Sequence, residues 1–141
     1  MPAFALWLFP HPDGATRAET VVSRATADAE LTLDDAIVLD WPGGRPSPGY
    51  ARVFSVVLTA PRRNEVWADL LEGIAGGAGR ERCDAESVQP ELPHSVTREL
   101  FRRFHPGYAG LLLIGDEETL RLLVAEVERG AGPMASGGAW G

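Results

Sequence analysis

Apolar residues along this chain fall into short unbroken runs separated by stretches with helical spacing. Residues 3–9, AFALWLF, are apolar throughout and stop at Pro10. A run that short and that continuous reads as a strand buried on both faces. Pro10-His11-Pro12-Asp13-Gly14 is a turn, with Asp13 as the candidate cap of a following helix. Over 15–30 the apolar positions are Ala18, Val21, Val22, Ala25 and Ala29, a helical pattern with a narrow face of small residues. Residues 36–39 form a second apolar run, broken by Trp41-Pro42-Gly43-Gly44-Arg45-Pro46. Residues 53–58, rich in Val and Phe, predict a third strand that Ala60-Pro61 ends.

Asn64 is placed to cap a helix carrying Val66, Trp67, Leu70, Leu71 and Ile74, which Gly76-Gly77-Ala78-Gly79 terminates. Residues 80–93 are charged and contain proline, a surface loop. Ser95 is the candidate cap of the next helix, with Val96, Leu100, Phe101 and Phe104 on one face. Residues 108–114 predict a fourth strand, and Asp116 a cap for a last helix built on Leu120, Leu123, Val124 and Val127 and closed by Gly130. The remainder, 131–141, is a low-complexity tail rich in Gly and Ala. The order is βαββ, a helical insertion, then αβα. Strands linked through helices lie parallel, and the connection of strands two and three is compatible with a hairpin. The simplest arrangement is α+β and ferredoxin-like: a mostly antiparallel four-stranded sheet with helices on one face. The expected organisation is one domain over 1–130, with 61–93 as a helical and loop insertion.

Two of these segments carry a resemblance. Leu31-Thr32-Leu33-Asp34-Asp35-Ala36-Ile37-Val38-Leu39 resembles the "L-x-L-x-D-A-hydrophobic-V" segment of the DUF1269 family, a set of bacterial proteins of unknown function. Phe104-His105-Pro106-Gly107-Tyr108-Ala109-Gly110-Leu111-Leu112-Leu113 is similar to the "L-x-P-G-x-S-A-L-hydrophobic" turn and strand of the same family. The resemblance covers about 1–40 and 92–130, and its motifs are structural rather than catalytic. Members often carry a Gly-rich apolar hairpin in the middle that implies membrane association. Here that region reads RRNEVWADLLEGIAGGAGRERCDAE, short and charged. The family implies no activity to carry over.

Composition narrows the chemistry. The 141 residues carry a net charge of −7, which disfavours nucleic acid and anionic lipid as partners. All 13 basic residues are arginine, which removes Schiff-base chemistry, a phosphate-loop lysine and a lysine base. One cysteine, Cys83, leaves no intramolecular disulfide and reads as an inert surface thiol. The first residues lack a basic segment ahead of their apolar run, and no window reaches the roughly 18 apolar residues of a membrane span. A cytoplasmic protein without stable membrane insertion is expected.

The three histidines have no metal-ligand spacing, so no metal site and no cofactor is expected. His105 ends a helix ahead of Pro106 and Gly107, a geometry in which the imidazole complements the helix dipole. His11 and His94 read as solvated loop residues. Asp34 and Asp35 read as a solvated turn, since adjacent strand residues point to opposite faces and do not share a proton. No nucleophile motif or phosphate loop is present.

The expectation is therefore a non-catalytic module that self-associates as a dimer or higher homo-oligomer, or that binds a protein partner. Its interface candidates are Trp67, Leu70, Leu71, Ile74, Trp41 and Trp140. The reason is that strands apolar on both faces, with helices on one side only, need a second cover. The alternative is a small-molecule binder or cofactor-independent enzyme whose pocket draws on His105, His94, Tyr50 and Tyr108. A third reading is a soluble relative of a membrane-surface protein.

Overall fold

The computed structural model describes residues 3–53, 55–76, 94–131 and 136–140. Strand β1, Ala3–Phe9, is buried along its whole length, as an unbroken apolar run requires. Helix α1, Pro12–Ala29, follows, then β2, Asp35–Asp40, and β3, Gly49–Arg52. Two helices come next, α2 over Asn64–Gly76 and α3 over His94–Arg103. Strand β4, Ala109–Gly115, helix α4, Glu117–Ala131, and strand β5, Ser136–Trp140, complete the described chain.

The five strands form one sheet in the order β3-β2-β4-β1-β5. Every neighbouring pair is antiparallel. Strands β1 and β2 therefore run the same way with β4 between them, and β4 and β5 run the opposite way with β1 between them. Two β-α-β units, each split by a strand of the other, make the ferredoxin-like α+β arrangement. Strand β3 extends it by one edge strand.

Pleating divides β1 cleanly. Ala3, Ala5, Trp7 and Phe9 face one core, shared with Leu111 and Leu113 of β4 and with α1 and α4. Phe4, Leu6 and Leu8 face another, shared with Leu112 and Ile114, α2 and α3. Helices thus cover both faces of the sheet, and this corrects the expectation of helices on one face. The insertion supplies the second layer: Trp67, Leu70, Leu71 and Ile74 of α2 join Val96, Leu100 and Phe104. The α1 and α4 pair approaches closely, since a side chain at Gly130 would meet Val21 Cγ2 at 2.5 Å.

Three boundaries differ from expectation. The third strand lies at Gly49–Arg52, not over 53–58. Beyond β3, Val53 and Val56 drop into the α1-side core; Val53 N donates to Ala36 O of β2 at 2.9 Å, and Leu58 forms an isolated parallel bridge with Leu33, just ahead of β2. An apolar run can be buried as a loop as well as a strand, and periodicity does not separate the two. Phe54 lies outside the described residues. Second, α1 begins earlier, and its cap is His11, whose Nδ1 accepts from Gly14 N at 3.2 Å; Asp13 lies within the first turn. Third, part of the low-complexity tail is β5, paired with β1 from Phe4 opposite Trp140 to Leu8 opposite Ser136. Cys83, the 80–93 loop and Gly77 to Gly79 lie outside the described residues.

Candidate functional site

The expected apolar interface is spent within the chain. Trp67 is fully buried, and Leu70, Leu71, Ile74 and Trp41 are each less than a tenth exposed. Their cover for the second sheet face is the protein's own insertion, so the argument from an open face no longer holds. The backbone of Trp140 lies in β5; its side chain falls outside the described atoms, as does that of His94, which opens α3.

Among the expected ligand residues with described side chains, Tyr50 lines a cleft between α1 and the β2–β3 hairpin that His105 and Tyr108 do not line. His105 and Tyr108 meet edge to face, ring centroids 5.9 Å apart, at the joint between α3 and β4. Gly107 between them has φ +94°, and its N–H donates to Trp41 O at 2.5 Å. Trp41 N–H donates in turn to Tyr108 O at 3.0 Å, and the Trp41 ring packs edge-on to Phe104. The His-Pro-Gly segment is thus a structural joint that locks the end of α3 to the end of β2. Tyr50 is engaged elsewhere, its hydroxyl donating to Asn64 O at 3.3 Å.

The most concentrated polar arrangement is centred on a residue that sequence reasoning read as solvated. Asp35 is completely buried. Its Oδ1 accepts from Ala36 N at 2.9 Å and from Arg52 Nε at 3.1 Å. Its Oδ2 accepts from Arg62 N at 3.0 Å and from Trp67 Nε1 at 3.2 Å. Arg52 extends the cluster to Arg62 O at 2.5 Å and to Asn64 Oδ1 at 3.2 Å. One carboxylate therefore fastens β2, β3, the 59–63 loop and α2 together. Four N–H donors leave it no capacity as a base toward a substrate. Its neighbour Asp34 accepts from Thr59 Oγ1 at 3.1 Å. The signal in the sequence was the Asp35, Arg52 and Trp67 triplet, but residues so far apart in the chain announce no spacing rule.

Among the described residues no group of His, Cys, Asp and Glu is arranged to hold a metal ion. No described helix is long and apolar enough to cross a membrane. Among the described residues the large exposed apolar side chains are Val57, in the loop after β3, and Leu122, on α4.

What remains available is the rim of the sheet. The β3 rim is short, is preceded by Pro46 and Pro48, and is tied down by Tyr50 and Arg52 to the segment at 62–64. The β5 rim differs. Its sequence is SGGAW, without charge or proline, and no described strand pairs with its outer edge. Natural edges are usually protected by charge, proline or a covering element. The β5 edge carries none of these among the described residues. Comparison with known proteins leaves the geometry to stand by itself: no family model, no curated protein and no solved structure matches this chain.

Proposed function

We propose that the chain is a non-catalytic self-associating module, and that its partner is a second copy joined through the outer edge of β5. Membership of the DUF1269 family belongs to the same proposal. The observation that carries the reading is the contrast between the two rims: β3 is flanked by proline and bound by arginine, while β5 is uncharged and has no described strand on its outer edge. In a chain of net charge −7, two copies repel at long range. A neutral strand is the segment at which they approach with least penalty. Antiparallel pairing of identical strands closes on a two-fold axis, so the contact ends with two copies. It joins two five-stranded sheets into one and satisfies the outer N–H and C=O groups of β5.

Amide hydrogen exchange tests this reading. Protection in 136–140 should rise with protein concentration. It should lose that dependence in Ser136→Lys and in Ala139→Lys, which place a charge toward either end of the rim. Unchanged exchange in β1 and β4 reports that the sheet itself is intact. Protection in β5 that is independent of concentration, or that survives both lysines unchanged, refutes the β5 contact.

A further inference from the structure

A cleft of about 370 Å³ opens on the α1 side of the sheet, between the first turns of α1 and the β2–β3 hairpin. That volume is at the small end of the range for small-molecule sites, roughly 300–1,000 Å³. Its floor is made of small side chains, and Pro12, Thr16 and Tyr50 stand around it. Ala15 of α1, Ala51 of β3 and Ala109 of β4 line it together with Val38. Val38 is only partly buried, and Ala51, its partner across the β2–β3 pair, is exposed. Among the described residues, helices α1 and α4 pack on the central strands of this face and leave Ala51 of β3 exposed.

Two opposite charges line the same cleft, Arg45 and Asp40. No salt bridge joins them, and neither side chain is hydrogen-bonded among the described residues. Both stand on fixed main chain. Arg45 N donates to Pro42 O at 3.1 Å, and Arg45 O accepts from Trp41 Nε1 at 3.0 Å, on an indole that is 8% exposed. Asp40 ends β2 and is paired on both sides, with Gly49 and with Ala109. An exposed cation and an exposed anion are therefore displayed at one cleft without forming an ion pair.

We infer that this cleft binds a small zwitterion, a free α-amino acid with a compact apolar side chain. Arg45 takes the carboxylate, for which a guanidinium offers paired donors. Asp40 takes the ammonium. The side chain rests on Val38, Ala51 and Ala109. A simple anion would gain Arg45 but face Asp40, and a simple cation would meet the reverse, so each half alone binds less well than the whole.

Backbone amide shifts of the full chain, titrated with L-alanine, L-valine, acetate and methylamine, test the assignment. Saturable shifts at Val38, Ala51 and Ala109 are expected with the two amino acids, and binding weaker by about tenfold or more with acetate or methylamine. Arg45→Gln and Asp40→Asn should each weaken amino-acid binding by at least about tenfold. Ala51→Phe, at an exposed strand position, should abolish it by filling the hollow while leaving the melting temperature near that of the parent. Three results overturn the inference: no saturable shift with either amino acid, acetate binding as tightly as L-alanine, or affinities unchanged in all three variants.

Discussion

Arg52 Nε donates to Asp35 Oδ1 across 3.1 Å, reaching from the edge strand to a carboxylate with no solvent exposure. The pair is asymmetric. Arg52 is 16% exposed in its side chain and keeps access to water, whereas Asp35 depends wholly on its donors. Removing the carboxylate leaves Trp67 Nε1, Arg62 N and part of Arg52 facing a void at the root of α2. Removing the guanidinium leaves Asp35 with three other N–H donors.

Asp35→Ala should therefore cost about 3–5 kcal/mol of unfolding free energy, since it leaves several buried N–H donors unsatisfied at about 1–3 kcal/mol each. Arg52→Met should cost less, about 1–3 kcal/mol. Urea denaturation of both variants checks the order. Equal losses, or a larger loss for Arg52→Met, contradict the assignment of Asp35 as the fastening of the insertion to the sheet.

Gly107 separates backbone strain from side-chain chemistry. Its φ is +94° and a Cβ there would meet nothing within 4 Å, so a substitution suffers from conformation and not from crowding. Gly107→Val should lose about 1–2 kcal/mol or somewhat more. His105→Gln, two residues earlier and edge-on to Tyr108, should leave the unfolding midpoint nearly unchanged. A His105 variant that unfolds more easily than the Gly107 variant would overturn the reading of this segment as a backbone joint.

At Gly14 steric contact and helix propensity pull in opposite directions. Replacing a glycine by alanine inside a helix gains up to about 1 kcal/mol from propensity. Here a Cβ would lie 2.5 Å from Phe9 Cγ, on a ring that is fully buried under α1. A buried ring has little room to shift, and overpacking costs about 1–3 kcal/mol. The net expectation for Gly14→Ala is destabilisation, read as a lower thermal midpoint; a higher one shows that the Phe9 ring yields.

How much of this was legible in the sequence depends on the kind of signal. Continuous burial of β1 and β4 was plain from their unbroken apolar runs, and so was the helical spacing of α4. Strand β5 was hidden, because Ser136, Gly137, Gly138 and Ala139 offer neither alternation nor β-branching. Its strand character comes from pairing with β1, which is a tertiary effect. The apolar face of Trp67 and Leu71 could be read as cover for the second sheet face, but α2 alone is too short for that, and α3 completes the layer. Asp35 was misread because a charge beside a turn is usually solvated, and its four donors come from four separate segments of chain. The cleft at Arg45 and Asp40 was invisible for a related reason: its floor is made of Ala15, Ala51 and Ala109, and small residues leave no pattern.

Acid should act on α4 through its cap. Thr119 N donates to Asp116 Oδ1 at 2.8 Å. The Thr119 side chain, and then its backbone N–H, hold the Asp116 carboxyl below its ordinary value. A lowered folded-state value means that the stabilisation is present above the ordinary carboxylate range and is lost as pH falls through the lowered value. Asp116→Ala should thus be less stable than the parent at neutral pH, with the gap closing as the solution is acidified. Denaturation of the two proteins across that range decides it, and a gap that widens in acid reverses the sign.

Sedimentation equilibrium of the full chain tests the central claim most directly. The account predicts a reversible monomer–dimer equilibrium with a limiting mass about twice the 15.1 kDa of one chain. It also predicts that Ala139→Lys shifts the equilibrium to monomer without loss of secondary structure. A single 15.1 kDa species at every concentration, in the parent protein, contradicts it.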